Sequence, residues 1–263
     1  MNKLTGISAL AVLSLAGTAN AGWEVGDTIV LSRVSSSPAR AVTVNFDFSR
    51  TSSASGVTGG NLALAGRNIF NIISHNDRST GGQIAAFCVE INEGFPDDPI
   101  TYTLTEPTDV PEEDPPGNMS ANQSAMMQDL YARNYADVSD TSNDDSWSDS
   151  SDENAAFQLV IWEISHENFS STDLDGMKAE LNLTLGALVA TDMSNNNVAT
   201  IASSMIAGLG EGGWRTMSNL LGATNNSSGT PGVGNQDLLI VVPSPAIAAL
   251  AGLGLVGMRR RRR

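Results

Sequence analysis

The chain has 263 residues and a formal net charge of −15, from 14 Lys and Arg against 29 Asp and Glu. Residues 22–242 hold every acid but only eight of the bases, a net of −21. A body that acidic repels phosphate backbones, which argues against nucleic acid as a partner. A single cysteine excludes intrachain disulfides and cysteine zinc clusters, and two histidines, His75 and His166, leave little for a His-rich metal centre or a hydrolytic triad.

Residues 1–21 read as an export signal. Lys3 is the basic end, residues 7–16 are apolar, and Ala19-Asn20-Ala21 is a small-x-small cleavage site. The apolar run is too short to span a bilayer, so cleavage is expected rather than retention as an anchor. The mature chain then begins at Gly22, outside the cytoplasm.

The body opens with strands. Residues 40–50 alternate strictly, with Val42, Val44, Phe46 and Phe48 on one face and Thr43, Asn45 and Asp47 on the other. Residues 28–34 are the expected partner, across a turn at 35–38. Residues 52–60 read as a Ser/Gly loop. Residues 62–73 are apolar and fit a strand or a helix equally. Residues 83–91 read as a buried strand, and 100–104 alternate again. Residues 106–118, rich in proline and acid, read as an exposed linker.

Helical spacing follows over residues 120–135, with Met127, Leu130, Tyr131 and Asn134 at i, i+3, i+4 and i+7. Asp152 is placed to cap a helix over 153–166, with Phe157, Val160, Ile161 and Ile164 as its apolar face. His166 then falls near a helix end, where a surface position is expected. Residues 172–181 and 195–209 read as further helices, and 220–221 and 236–242 as closing strands. The Ser/Asp run at 138–153 has the oxygens calcium prefers but no D-x-[DN]-x-[DN]-G loop. A solvated loop is expected there, and no metal or cofactor site is assigned.

Strands around a helical insert, about residues 119–210, predict an α+β fold. Its form is an antiparallel β-sandwich or barrel with a small α-helical insert. The expected organisation is a signal peptide at 1–21, a folded domain at 22–242 and a C-terminal segment at 243–263.

That last segment has an uncharged apolar run at 246–258, followed by Arg259, Arg260, Arg261, Arg262 and Arg263. As a helix the run is about 20 Å long, against a hydrocarbon core of about 30 Å. The arginines would stay in the cytoplasm. A plain tail anchor accounts for this much. The order of Val242-Pro243-Ser244-Pro245, a Gly/Ala/Leu helix and an arginine cluster resembles the PEP-CTERM sorting signal, with Ser244 where that signal has Glu. The resemblance implies recognition by an exosortase, a membrane cysteine transpeptidase, with transient residence in the inner membrane. The destination would be the cell surface or extracellular matrix.

Two segments carry candidate chemistry: Phe87-Cys88-Val89-Glu90, and residues 156–163 around Phe157-Gln158 with Trp162 and Glu163. In this order they resemble the thioester domains of bacterial surface adhesins. There an aromatic-Cys-aliphatic strand precedes a helix of the form Φ-Gln-x-Φ-Φ-Trp. The Leu130-Tyr131 helix and Asn235-Gln236-Asp237-Leu238-Leu239 also fit. The resemblance implies a bond between Cys88 Sγ and the Gln158 side-chain carbonyl carbon, opened by a surface amine or hydroxyl on a protein or glycan partner. That is acyl transfer without turnover, so the chain is not expected to be an enzyme. Phe87, Phe157 and Trp162 would shield the bond, and Glu90, Glu163 or His166 would handle protons. The plain alternative is a buried free cysteine in a non-reactive structural or carbohydrate-associated β-domain, with Gln158 on a helix surface and Trp162 in the core. Pairing with another chain is a third possibility for the cysteine.

Overall fold

The computed structural model describes residues 22–54, 60–91, 93–95, 97–112, 116–139, 149–191, 196–225 and 235–242. The expected signal peptide at 1–21, Pro243, Pro245, the apolar C-terminal run and Arg259 to Arg263 lie outside the described residues, as does most of the Ser/Asp run. Among the described residues no helix is long and apolar enough to cross a membrane, and no group of acids, histidines and cysteine is arranged to hold a metal ion.

Eight strands are described: β1 (Thr28–Phe46), β2 (Asn61–His75), β3 (Arg78–Ser79), β4 (Gln83–Cys88), β5 (Ile100–Thr105), β6 (Leu188–Thr191), β7 (Leu220–Thr224) and β8 (Leu238–Val241). The ring β1-β2-β4-β8-β7-β5 closes on itself through β1, with every pairing antiparallel. The result is a six-stranded barrel, with β3 added to β2 and β6 added to the far half of β1.

Closure depends on β1. A turn was expected at residues 35–38, but the strand runs through and bends instead. Its register against β2 slips between Val30 and Leu31, Arg33 and Ser35, and Ser36 and Ala39. Such bulges turn a strand sharply without ending it. The first half, at Thr28–Leu31, pairs with β5 and shuts the barrel. The second half leaves the ring beside β2 and receives β6. The apolar run at 62–73, open between helix and strand in the sequence, is strand because β1 pairs along its length.

Four α-helices are described: α1 (Ala121–Ser139), α2 (Asp149–His166), α3 (Leu174–Glu180) and α4 (Asn196–Gly208), with α2 packed on the strands. Ser120 and Gln123 close a capping box on α1, each side chain accepting the other's main-chain N–H. Asp173 caps α3 by accepting from Gly176 N–H at 2.9 Å. Asp152 does not cap α2, which starts earlier. It lies inside the helix and pairs with Arg40 of β1 at 2.7 Å. The insert is not purely helical either, since β6 lies within it. The linker after β5 is partly buried: Pro107, Val110 and Pro111 are inside, and Glu112 N–H donates to Asp237.

Strand alternation separates two cores. Ile29, Leu31, Phe70, Ile84, Ala86, Cys88, Ile100, Tyr102, Leu104, Leu238 and Ile240 fill the barrel. Val42, Val44, Ala65, Phe87, Val89 and Leu239 point outward, against Phe157, Val160, Ile161 and Trp162 of α2 and Met127, Leu130 and Tyr131 of α1. From Ser151 onward nearly all of α2 is buried, the pattern of a helix enclosed on all sides. Val242 is 6% exposed and belongs to the barrel core. The first residue of the Val-Pro-x-Pro sequence is thus part of the folded domain.

Candidate functional site

Cys88 is the last residue of β4. Val89 N–H bonds to Asp237 O on the β8 side at 3.0 Å. By the alternation of an antiparallel ladder, the N–H and C=O of Cys88 face the other way, towards β2. Continuing the register from Asn68 opposite Ala86 would set Gly66 opposite Cys88. β2 has turned away by then. Gly66 has φ of +154°, a conformation residues with a Cβ rarely adopt, and pairs with Ala39 of β1 instead.

Gln158 fills the vacated rung. It lies in the middle of α2, not near its start, and its side chain is fully buried. Cys88 N–H donates to Gln158 Oε1 at 3.1 Å, and Gln158 Nε2 donates to Cys88 O at 2.7 Å. One amide side chain therefore pairs with both main-chain groups of the cysteine, as a neighbouring strand would. Residues seventy positions apart in sequence are joined by this pair of bonds. Gln158 is not the helix-surface amide of the plain sequence reading.

The amide meets the cysteine's main chain. The sulfur packs with the barrel interior and accepts a hydrogen bond from Asn68 Nδ2 at 3.2 Å. Cys88 is 4% exposed. Burial pushes its thiol pKa far up; the charge of Arg33 opposes this, the charge of Glu90 adds to it, and the Asn68 bond opposes it.

The expected shield is half built from those residues. Phe87 and Phe157 meet edge to face at 4.8 Å, and Tyr131 stands edge-on to Phe157 at 4.9 Å. Trp162 is 2% exposed in the helix–sheet core. Tyr131 is fully enclosed, and its hydroxyl has no hydrogen-bond partner among the described residues.

Of the three expected proton handlers, one is at the site. Glu90 accepts Asp237 N–H at 2.7 Å, and Gln236 Nε2 donates to its main-chain oxygen at 3.1 Å. Asp237 in turn accepts Glu112 N–H. Glu163 faces the opposite way: Oε1 accepts Asn182 N–H at 2.6 Å. Burial and the charge of Glu167 raise its pKa. His166 is also elsewhere, buried rather than on the surface. It packs against Phe46 and Phe48 and bonds Ser165 through Nδ1. Burial lowers its pKa to about 3, so the ring is neutral. Neither residue serves Cys88.

Asn68 was not singled out from the sequence. Its signal is a polar residue on the same alternation as Phe70, at a register position that faces the barrel interior. A scan against protein-family models, a search of curated proteins and a search of solved structures each return no match.

Proposed function

We propose that the chain is an exported surface or matrix protein that attaches covalently to a partner through a Cys88–Gln158 thioester. The observation that carries this reading is the double hydrogen bond between the Gln158 amide and the Cys88 main chain. Two bonds to one residue hold the amide near the plane of the peptide groups. A side chain leaves a strand roughly perpendicular to that plane. The sulfur branches from the same residue whose main chain holds the amide.

The same contacts suit the chemistry. Addition of the thiol to the Gln158 carbonyl moves charge onto Oε1, where Cys88 N–H already donates. The thiol proton and the amide nitrogen leave as ammonia, and the acyl group remains on sulfur. The aromatic wall of Phe87, Phe157 and Tyr131 limits water, and Glu90, whose charge acts on the Cys88 thiol, is the candidate base. An amine or hydroxyl on a protein or glycan would open the bond, leaving its carrier on Gln158 and a free thiol on Cys88. Export by the signal peptide and sorting by an exosortase complete the reading.

One observation favours the plain alternative, a non-reactive β-domain. As it stands, Gln158 completes a β-ladder and Cys88 Sγ sits in an apolar barrel, which are purely structural tasks. Intact mass separates the two. Mature protein carrying the thioester is lighter than its sequence by one ammonia. Methylamine then adds to Gln158 and frees a thiol. Cys88→Ala abolishes both and costs only about 1–2 kcal/mol of stability. A full sequence mass with an unmodified Cys88 establishes the structural reading instead.

A further inference from the structure

Asn68 stands opposite Ser36 of β1 on one side and Ala86 of β4 on the other. Directly opposed residues share a face of the sheet. Cys88 follows Ala86 by two positions and shares that face, diagonal to Asn68, so Ser36, Asn68 and Cys88 form one bent row across three strands. Asn68 Nδ2 donates to Cys88 Sγ at 3.2 Å. Its Oδ1 accepts from Ser36 Oγ, which accepts in turn from Arg33 Nη2. Arg33 is exposed, with its guanidinium 5.1 Å from the centre of the Phe95 ring.

The row fixes a direction. An asparagine amide has one accepting end and one donating end. Ser36 engages the accepting end, which turns the donating end towards sulfur. Asn68 itself is 4% exposed. A polar chain running into an apolar barrel costs free energy unless every member is satisfied. This one is satisfied by ending on Sγ.

We propose that Asn68 stabilises the sulfur as the thioester opens and forms, and that Ser36 and Arg33 are positioning residues that hold its amide. The proposal rests on the Cys88–Gln158 thioester reading. When an amine adds to the Gln158 carbonyl carbon, the carbonyl electron pair moves to Oε1. Collapse of that adduct breaks the carbon–sulfur bond and leaves its electron pair on Sγ. The proton lost by the amine then passes to sulfur, giving an amide and a free thiol. Charge thus develops on a sulfur whose burial disfavours it, facing the side-chain N–H that Asn68 aims at it. A neutral thioester sulfur is a weak acceptor, so the bond is stronger in the transition state than before it, the condition for a rate effect. The same donor serves formation, where the thiol attacks and ammonia departs.

The test is the rate at which methylamine opens the thioester of the mature protein, followed by intact mass, with the thermal midpoint of each variant measured alongside. Asn68→Asp keeps the shape and removes the donor; opening should slow at least about tenfold, with Asn68→Leu slowed similarly. Ser36→Ala should fall between these and the parent protein. Ser36→Thr returns the hydroxyl and should restore the parent rate, which a merely structural defect would not predict. If the parent protein shows no ammonia deficit, the thioester reading fails and this proposal with it. If the parent carries the bond and Asn68→Asp opens at the parent rate, only the Asn68 assignment is overturned. Should the Asn68 variants not fold, Ser36→Ala at its half-buried position decides: an unchanged rate there overturns the proposal.

Discussion

Asp237 links the barrel end to the linker after β5, and it does so as a buried acid. Burial lifts its pKa well above the carboxylate range, to about 8; the Glu112 N–H opposes this, while the charges of Glu112 and Glu93 add to it. Its folded pKa exceeds the ordinary 3.8, so the folded chain binds more protons between those values and stability falls as pH rises through them. Glu163, raised by burial and by Glu167, acts in the same sense. Glu180 does the opposite. Burial would raise it, but hydrogen bonds from Ser171, Ser52 and Ser170 bring it from 4.5 down to about 2, so that stability is lost as pH falls through that range. His166, held neutral down to about pH 3, offsets Asp237 up to the ordinary histidine value of 6.5, so the melting temperature should fall below about pH 4 and again above about pH 6.5. Asp237→Asn should shallow the alkaline decline and leave the acid one intact. Melts across pH check this, and an alkaline limb identical to the parent's removes Asp237 from the account.

At the level of elements, the loop between α3 and β6 depends on one glycine. Gly186 has φ of +95°, and a Cβ built there would lie 2.0 Å from Glu167 Oε2. Glu167 cannot simply move, since it accepts Ala187 N–H at 3.1 Å and Asn168 N–H at 2.9 Å. Gly186→Ala should cost at least about 2 kcal/mol, read from the urea midpoint. Adding Glu167→Ala should recover the steric share and not the backbone share. A Gly186→Ala protein as stable as its parent would contradict the geometry. Nothing in the local sequence marks this glycine, because its constraint comes from a helix that ends twenty residues earlier. The same limit explains what the sequence concealed elsewhere. Alternation was enough to find β5 and the second half of β1, a continuous apolar run marked β4, and helical spacing found α1 and α2, because those signals are local to the chain. The continuous bend of β1 was hidden by Ser35 to Pro38, which have turn composition but pair with β2 on either side. The start of α2 was misplaced because Asp152 has the chemistry of a cap and is used as an ion partner instead. For the site, motif order paired Cys88 with Gln158, while Asn68 and Ser36 came from strands whose register no local pattern specifies.

Across the whole molecule, Trp23–Val242 form one compact unit. Its last strand is β8, which lies in the ring between β4 and β7. A chain of residues 22–242 should thus unfold in a single calorimetric transition. A chain ending at Asp237 removes β8, exposes two ladders and opens the barrel; it should show no cooperative transition. Two resolved transitions in the first chain, or a cooperative one in the second, would break this description.

The position of β8 also bears on mechanics. In a protein tethered by its carboxyl end, tension enters the fold at Val242 and runs along β8. That strand is hydrogen-bonded on both flanks, so pulling along its axis shears two ladders at once. The short outer strands β3 and β6 would instead peel away rung by rung. Leu238, at the inner end of β8, is paired with Cys88. Load entering there would therefore reach the Cys88–Gln158 contact through its immediate neighbour, so under the proposed attachment the bond and the tether would form a single mechanical problem.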